Sequence, residues 1–288
     1  MSQHKRESNR LLGYPEDARL LIVNADDFGM CHAITEGILR SLKEGIVCST
    51  SLMVPCPWAL YAMDLLKENP QIDFAIHLTV LCDTDIYRWR PLTARDKVPS
   101  LVDDMGFFYI NARMEEFLAR AKVDELEVEF RAQIEAVLAA GLKPTHLDWH
   151  CIHNGGRADI FEMTLRLAKE YRLVLRADEA VSSKLQSQGL PTSDYALLDS
   201  YSLNTANKSA QYIQMLRDLP AGLSEWAVHP GLDTPEFRVL EPDAPVRQTD
   251  FEFVMSSEAR TIIEQEGIVL LGYAPLLAVW QQHSGNNC

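Results

Sequence analysis

Residues 19–29 read Arg-Leu-Leu-Ile-Val-Asn-Ala-Asp-Asp-Phe-Gly, an unbroken apolar run that stops at a polar cluster. A continuous run without alternation predicts a strand covered on both faces, the mark of a parallel sheet sandwiched by helices. Ile34, Ile38 and Leu42 then recur at helical spacing, and Gly45 supplies the stop. The same alternation continues outward. Strands are predicted at 46–54, 72–78, 145–149, 173–176, 225–229 and 268–273, with helices at 58–67, 114–140 (one long or two short), 160–171, 209–217 and 256–266. Seven β/α units with no linker and no repeat imply an α/β single domain. A deformed, TIM-like (β/α) barrel is favoured over an open sheet, because ionisable residues sit at the C-terminal ends of several strands, which a barrel brings together. Residues 80–112 show no clear period and read as a long insertion or loop, and 182–206 as a surface connection. Residues 1–18 are expected to be a flexible extension, 19–280 the barrel and 281–288 a tail.

Composition narrows the function. The 288 residues are 47% hydrophobic and carry a formal charge of −14, which suits a sizeable core and disfavours nucleic acid as a partner. The most apolar stretch, 268–280, is too short for a membrane span and is broken by Gly272 and Pro275. The polar N-terminus has no signal-peptide core, and Cys31, Cys48, Cys56, Cys82, Cys151 and Cys288 show no pairing pattern. A cytoplasmic protein with reduced thiols is expected, with a homo-oligomer left open.

Four strand ends carry the chemistry. Asp26 and Asp27 follow the first strand; two adjacent carboxylates need a cation or a proton to separate their roles, although an acid here also suits a helix cap. His77 ends the third strand, as a metal ligand or a hydrogen-bonded core residue. His146-Leu147-Asp148-Trp149-His150-Cys151-Ile152-His153 packs three histidines and a carboxylate into eight residues. In extended geometry His146, Asp148 and His150 share one face, and a carboxylate beside a His is how metal sites orient imidazoles. His146 is a reserve ligand for His150. His229 ends a late strand before Pro230-Gly231. Two His and one carboxylate are a common catalytic ligand set with an open position for water.

These segments resemble the YdjC-like family of carbohydrate deacetylases. The likeness runs from about residue 19 to 273 through NADDFG, GIVCSTSLMV, the strand-end His77, KPTHLDWH, LRAD at 175–178 and the HPG turn, in the family's order. It implies a deformed barrel holding one divalent metal ion, zinc or magnesium, on Asp27, His77 and His150. It further implies Asp26 as the base that activates water and His229 as the acid. A metal-bound water would attack the amide of an N-acetylated sugar or oligosaccharide. His146, Asp148, Trp149, His153, Arg176 and Trp226 are expected around the metal or against the substrate, with Trp149 and Trp226 able to stack on a sugar ring or to fill the barrel. The chain departs from the family at Ile152 and Asn154, where imidazoles are usual, and carries His153 out of phase. That departure predicts a substrate preference unlike that of the chitooligosaccharide enzymes. Rival readings are a metal-dependent isomerase, which would need a second metal or a nearby Lys, a phosphoesterase, which would need a basic cluster, and a non-catalytic sugar binder.

Overall fold

The structure, a computed structural model, describes residues 7–284. Nine strands run in chain order: β1 (Arg19–Phe28), β2 (Ser49–Leu52), β3 (Asp73–Leu78), β4 (Leu81–Cys82), β5 (Tyr109–Ile110), β6 (His146–Trp149), β7 (Val174–Leu175), β8 (Gly222–Val228) and β9 (Ile268–Leu270). Seven form one parallel sheet in the order β7-β6-β3-β2-β1-β8, with β9 paired to the start of β1. These are the seven strands expected from the alternation. β1 is buried along almost its whole length, which is why its sequence shows no period of two.

The sheet curls into a barrel that is not closed by strand pairing, since β7 and β8 are not neighbours. Residues 194–198 run along the free edge of β8 instead. The Asp194 and Leu198 amides donate to Leu223 O (2.8 Å) and Glu225 O (2.9 Å), and the Ala227 amide donates to Leu198 O (2.9 Å). The stretch expected as a surface connection therefore partners an edge that would otherwise leave buried amides unpaired.

Residues 7–18 are docked, not a loose extension. Helix Glu7–Leu12 buries Ser8 and Asn9; Ser8 Oγ donates to Thr192 O (2.6 Å), and Asn9 Nδ2 donates to Pro15 O and Ala18 O. Residues 1–6 of that expected extension and 285–288 of the expected tail lie outside the described residues, while 281–284 continue the helix Ala274–Ser284. No described helix is long and apolar enough to cross a membrane.

The segment 80–112 is a folded flap whose apolar side chains join the barrel's core. β4 pairs with β5, and Trp89, Leu101 and Phe108 of the flap are buried in that shared cluster. The predicted helix at 114–140 divides in two, and its second part, Val123–Ala139, buries Glu125, Glu129 and Gln133 along one face. Charge on a buried face looks contradictory until the amides are counted. Glu129 accepts from the Leu92 and Thr93 amides (3.1 and 3.0 Å) and Glu125 from the Ser100 amide (2.7 Å). Glu129→Leu should therefore lower the unfolding free energy by about 3 kcal/mol, since it strands two amide donors. Urea denaturation followed by circular dichroism reads this directly; a change below about 1 kcal/mol would mean the flap is held by its apolar contacts alone.

Candidate active site

Both carboxylates at the end of β1 reach one cavity because the strand is irregular there. Ala25 pairs with Thr50 but Phe28 with Leu52, so β1 carries an extra residue. Asp27 absorbs it with φ +78°, a left-handed conformation that Asp tolerates better than most side chains. Regular alternation would send neighbouring side chains to opposite faces. The bulge turns Asp27 back beside Asp26.

Asp27 meets two imidazoles. Its Oδ1 lies 3.4 Å from His77 Nε2 and 3.2 Å from His150 Nδ1, while Arg247 Nη1 sits 2.8 Å from its other oxygen. The outer nitrogen of each imidazole has a carboxylate of its own. His77 Nδ1 lies 2.8 Å from Asp148, its register neighbour across β3 and β6, and His150 Nε2 lies 2.7 Å from Asp83. Carboxylate partners of this kind fix the tautomer of a metal-binding His. Ligands about 2.0–2.2 Å from a first-row cation stand roughly 3–3.4 Å apart. The ligand atoms of Asp27, His77 and His150 lie within 4.8 Å of one another, so this trio could hold such an ion. Electrostatics point the same way. Burial lowers the His77 pKa, but the Asp148 and Asp27 carboxylates outweigh it and push the imidazole up to about 9, and His150 rises too. A site that draws protons onto buried imidazoles has charge to offer a cation.

Asp26 belongs to a different partner. Arg176 donates to both of its oxygens at 2.9 Å, reaches Asp148 at 2.9 Å and donates through Nε to Glu225 at 2.7 Å. Asn24 Nδ2 adds a bond to Asp26 Oδ1 (2.6 Å), and Ser51 Oγ donates to Asp148 (2.6 Å). Burial would raise the Asp26 pKa; Arg176 overrides it and holds the carboxyl below its ordinary value. Asp26 is ionised at neutral pH.

His229 lines the same cavity of about 440 Å³. Its Nδ1 lies 2.9 Å from Ser200 Oγ, its amide donates to Asp250 (2.9 Å), and Tyr201 stands edge-on at 4.7 Å. Burial lowers its pKa against the pull of Asp27 and Asp26. Ile152, His153 and Asn154 also line the cavity, His153 from an exposed position; Trp149 borders it but turns its ring to the outer helix, donating through Nε1 to Thr164 Oγ1 (3.3 Å) and packing on Phe161.

Two expected residues are elsewhere. His146 lies beneath the site, stacked on Tyr273 at 3.4 Å, and burial takes its pKa down to about 3. Its strand position points it inward but too deep to replace His150. Trp226 follows inward-facing Glu225 on β8, so it turns outward and packs on Tyr212 and Phe253, out of reach of a sugar. Conversely, Asp83, Arg247, Glu225, Ser200 and Asp250 escaped sequence reading. Asp83 lies in the aperiodic flap and Arg247 in helix Ala244–Met255, and no spacing links either to the histidines.

Residues 20–265 match the family described as YdjC-like protein. A carbohydrate deacetylase of Enterococcus faecalis is 30% identical over 262 residues, covering 89% of this chain and 97% of the relative. One of Thermus thermophilus is 33% identical over 264 residues, covering 86% and 90%. A solved Enterococcus faecalis structure, provisionally assigned as a cellobiose-phosphate cleavage protein, superposes with TM-score 0.76 at 29% identity, covering 90% of this chain and 99% of its own.

Arg176→Met should destabilise the fold by about 3–5 kcal/mol at pH 7 in chelator, because it strands three buried carboxylates. The sign with pH follows. Arg176 holds Asp26 and Asp148 below their ordinary pKa, so its contribution is present above the unfolded value near 4 and lost as pH falls through the folded ones. In the variant, burial lets these carboxyls take up protons. The gap between wild type and variant should narrow from pH 7 to pH 4 in urea titrations; a gap constant with pH would contradict the assignment.

Proposed function

We propose that this chain, which belongs to the YdjC-like family, is a metal-dependent carbohydrate deacetylase acting on the acetamide of an N-acetylated sugar. The observation that carries the reading is the division of labour between adjacent carboxylates. Asp27 is committed to His77 and His150, while Asp26, ionised and held by Arg176, is free of both imidazoles' inner nitrogens. A cation-binding protein without chemistry would have no need of the second arrangement. The names of the relatives support the substrate class, and the donor set suits a divalent cation.

A divalent cation on Asp27, His77 and His150 would supply a Lewis acid that polarises the acetamide carbonyl and acidifies water. The chain's own residues do the remaining work. Asp26 accepts the proton of the attacking water at Oδ2, which takes one bond, from Arg176, where Oδ1 takes bonds from both Arg176 and Asn24. Arg176 and Asn24 keep that carboxylate oriented. His229, with Nδ1 engaged by Ser200, turns Nε2 to the cavity and delivers a proton to the departing nitrogen. Burial lowers its pKa, so His229 takes up from solvent the proton it delivers, and Asp26 returns the water's proton to solvent, which balances the turnover. Asp148 and Asp83 steady the two imidazoles.

Two outcomes test this. Asp26→Asn should retain cation binding while acetate release from N-acetyl sugars falls by about 10²-fold or more, the scale of a lost general base. Equal rates, at matched metal loading, would remove Asp26 from the chemistry; no acetate from the wild type across a broad sugar panel would remove the deacetylase reading. Asp83→Asn should weaken zinc binding by about 10–100-fold in a chelator competition. Unchanged affinity would mean that His150 needs no carboxylate to orient it.

A further inference from the structure

Beyond the deacetylase reading, we propose a second cation site on Asp83, His150 and Cys151. It takes thiophilic ions of the zinc and cadmium kind and competes with the first site for His150. The two nitrogens of that imidazole face different groups. Nδ1 lies 3.2 Å from Asp27, while Nε2 lies 2.7 Å from Asp83 Oδ1 and 3.2 Å from Cys151 Sγ, and the sulfur stands 3.7 Å from the same Asp83 oxygen. A tetrahedral cation about 2.0–2.3 Å from oxygen, nitrogen and sulfur ligands holds them roughly 3.3–3.6 Å apart. The three atoms already stand near that spacing, and the His150–Asp83 pair needs to open by about half an ångström to reach it. Asp83 Oδ2 is buried and takes no hydrogen bond among the described residues, with Arg247 Nη2 3.6 Å away. The carboxylate therefore has an acceptor to spare for an ion.

Neither Cys151 nor Asp83 belongs to the segments of the family likeness: Cys151 follows KPTHLDWH, and Asp83 lies in the flap. The backbone brings the thiol to the imidazole. Neighbours in an extended chain point to opposite sides, but Cys151 has φ +62°, a left-handed conformation uncommon outside glycine, and its Sγ comes to the Nε2 side of the preceding ring. Asp83 and Cys151 are half-buried and line the cavity, so an ion can reach them from solvent. Thiolate, imidazole and carboxylate together suit zinc or cadmium, whereas magnesium asks for an octahedron of oxygens and finds one carboxylate here. The ion displaces the Cys151 thiol proton into solvent. A neutral imidazole has a single acceptor nitrogen, so once Nε2 holds the ion, Nδ1 carries the hydrogen and donates to Asp27. The first site is then left with Asp27 and His77, and the two sites exclude each other. This exclusion rests on the cation site of the deacetylase reading.

The experiment titrates the full chain with cadmium chloride and follows the ultraviolet charge-transfer absorption of a cadmium–thiolate bond. The band should appear in the wild type and in His77→Ala, which breaks the first site. It should be lost in Cys151→Ser, although five of the six cysteines remain there. Magnesium chloride should give no band. Peptide mapping after iodoacetamide treatment reads the same site in the wild type alone, should either variant fail to fold: Cys151 should be alkylated without cadmium and protected with it. With zinc preloaded, metal retained through gel filtration should stay at one ion per chain as cadmium replaces zinc. A band that persists in folded Cys151→Ser, or alkylation of Cys151 that cadmium does not slow, overturns the proposal. Two ions retained per chain overturn the competition for His150. Acetate release from N-acetyl sugars by the zinc-loaded chain separates this site from the deacetylase reading. Acetate with no thiolate band removes the second site and leaves the deacetylase; the band with no acetate does the reverse.

Discussion

Arg176 extends from the end of β7 to carboxylates on three other strands, Asp26 of β1, Asp148 of β6 and Glu225 of β8. Parallel strands converge at their C-terminal ends, so any acids placed there crowd together in a medium that screens them poorly. Without a cation among them they would take up protons and lose the chemistry that ionised groups provide. One planar guanidinium, with donors in a fixed fork, holds Asp26 and Asp148 ionised and keeps Glu225, which burial pushes up, spaced from them. It also spans the side of the barrel that strand pairing leaves open, between β7 and β8, where only backbone bonds from residues 194–198 cover the edge.

The second guanidinium repeats the device from outside the sheet. Arg247 arrives on helix Ala244–Met255 and engages Asp27, while Asp250, one turn further, takes the His229 amide and is paired with Lys208 and Tyr212. One helix thereby ties Asp27 to the strand end that carries His229. The adjacent acids Asp26 and Asp27 become different because each faces a different arginine, and the β1 bulge lets both face the cavity at all. Two residues side by side in sequence, on a regular strand, could not share this space.

Much of this was legible in the chain. The apolar run at 19–24, the alternation after it and the polar strand ends were enough to reach a barrel with Asp26, Asp27, His77, His150 and His229 at one end, because burial on both faces and convergence of parallel strands leave a direct imprint on residue order. The period-two rule also separates inward Asp148 from outward Trp149, and applied to β8 it would have turned Trp226 away from the site once Glu225 was known to face in. The flap at 80–112 was harder: its stability rests on backbone amides caught by Glu125 and Glu129, a pairing that leaves no period in the flap itself.

By itself, then, the sequence determined the scaffold and the residues at its strand ends, since both follow from local periodicity and from the topology that periodicity implies. Only the tertiary structure decided their partners. That His150 answers to Asp83, that Asp27 answers to Arg247, and that His146 lies stacked on Tyr273 below the site depend on contacts 67, 220 and 127 positions apart along the chain. Distances of that order are set by how helices and loops close over the barrel, and the charge of a buried group is set by whatever those elements bring within a few ångströms.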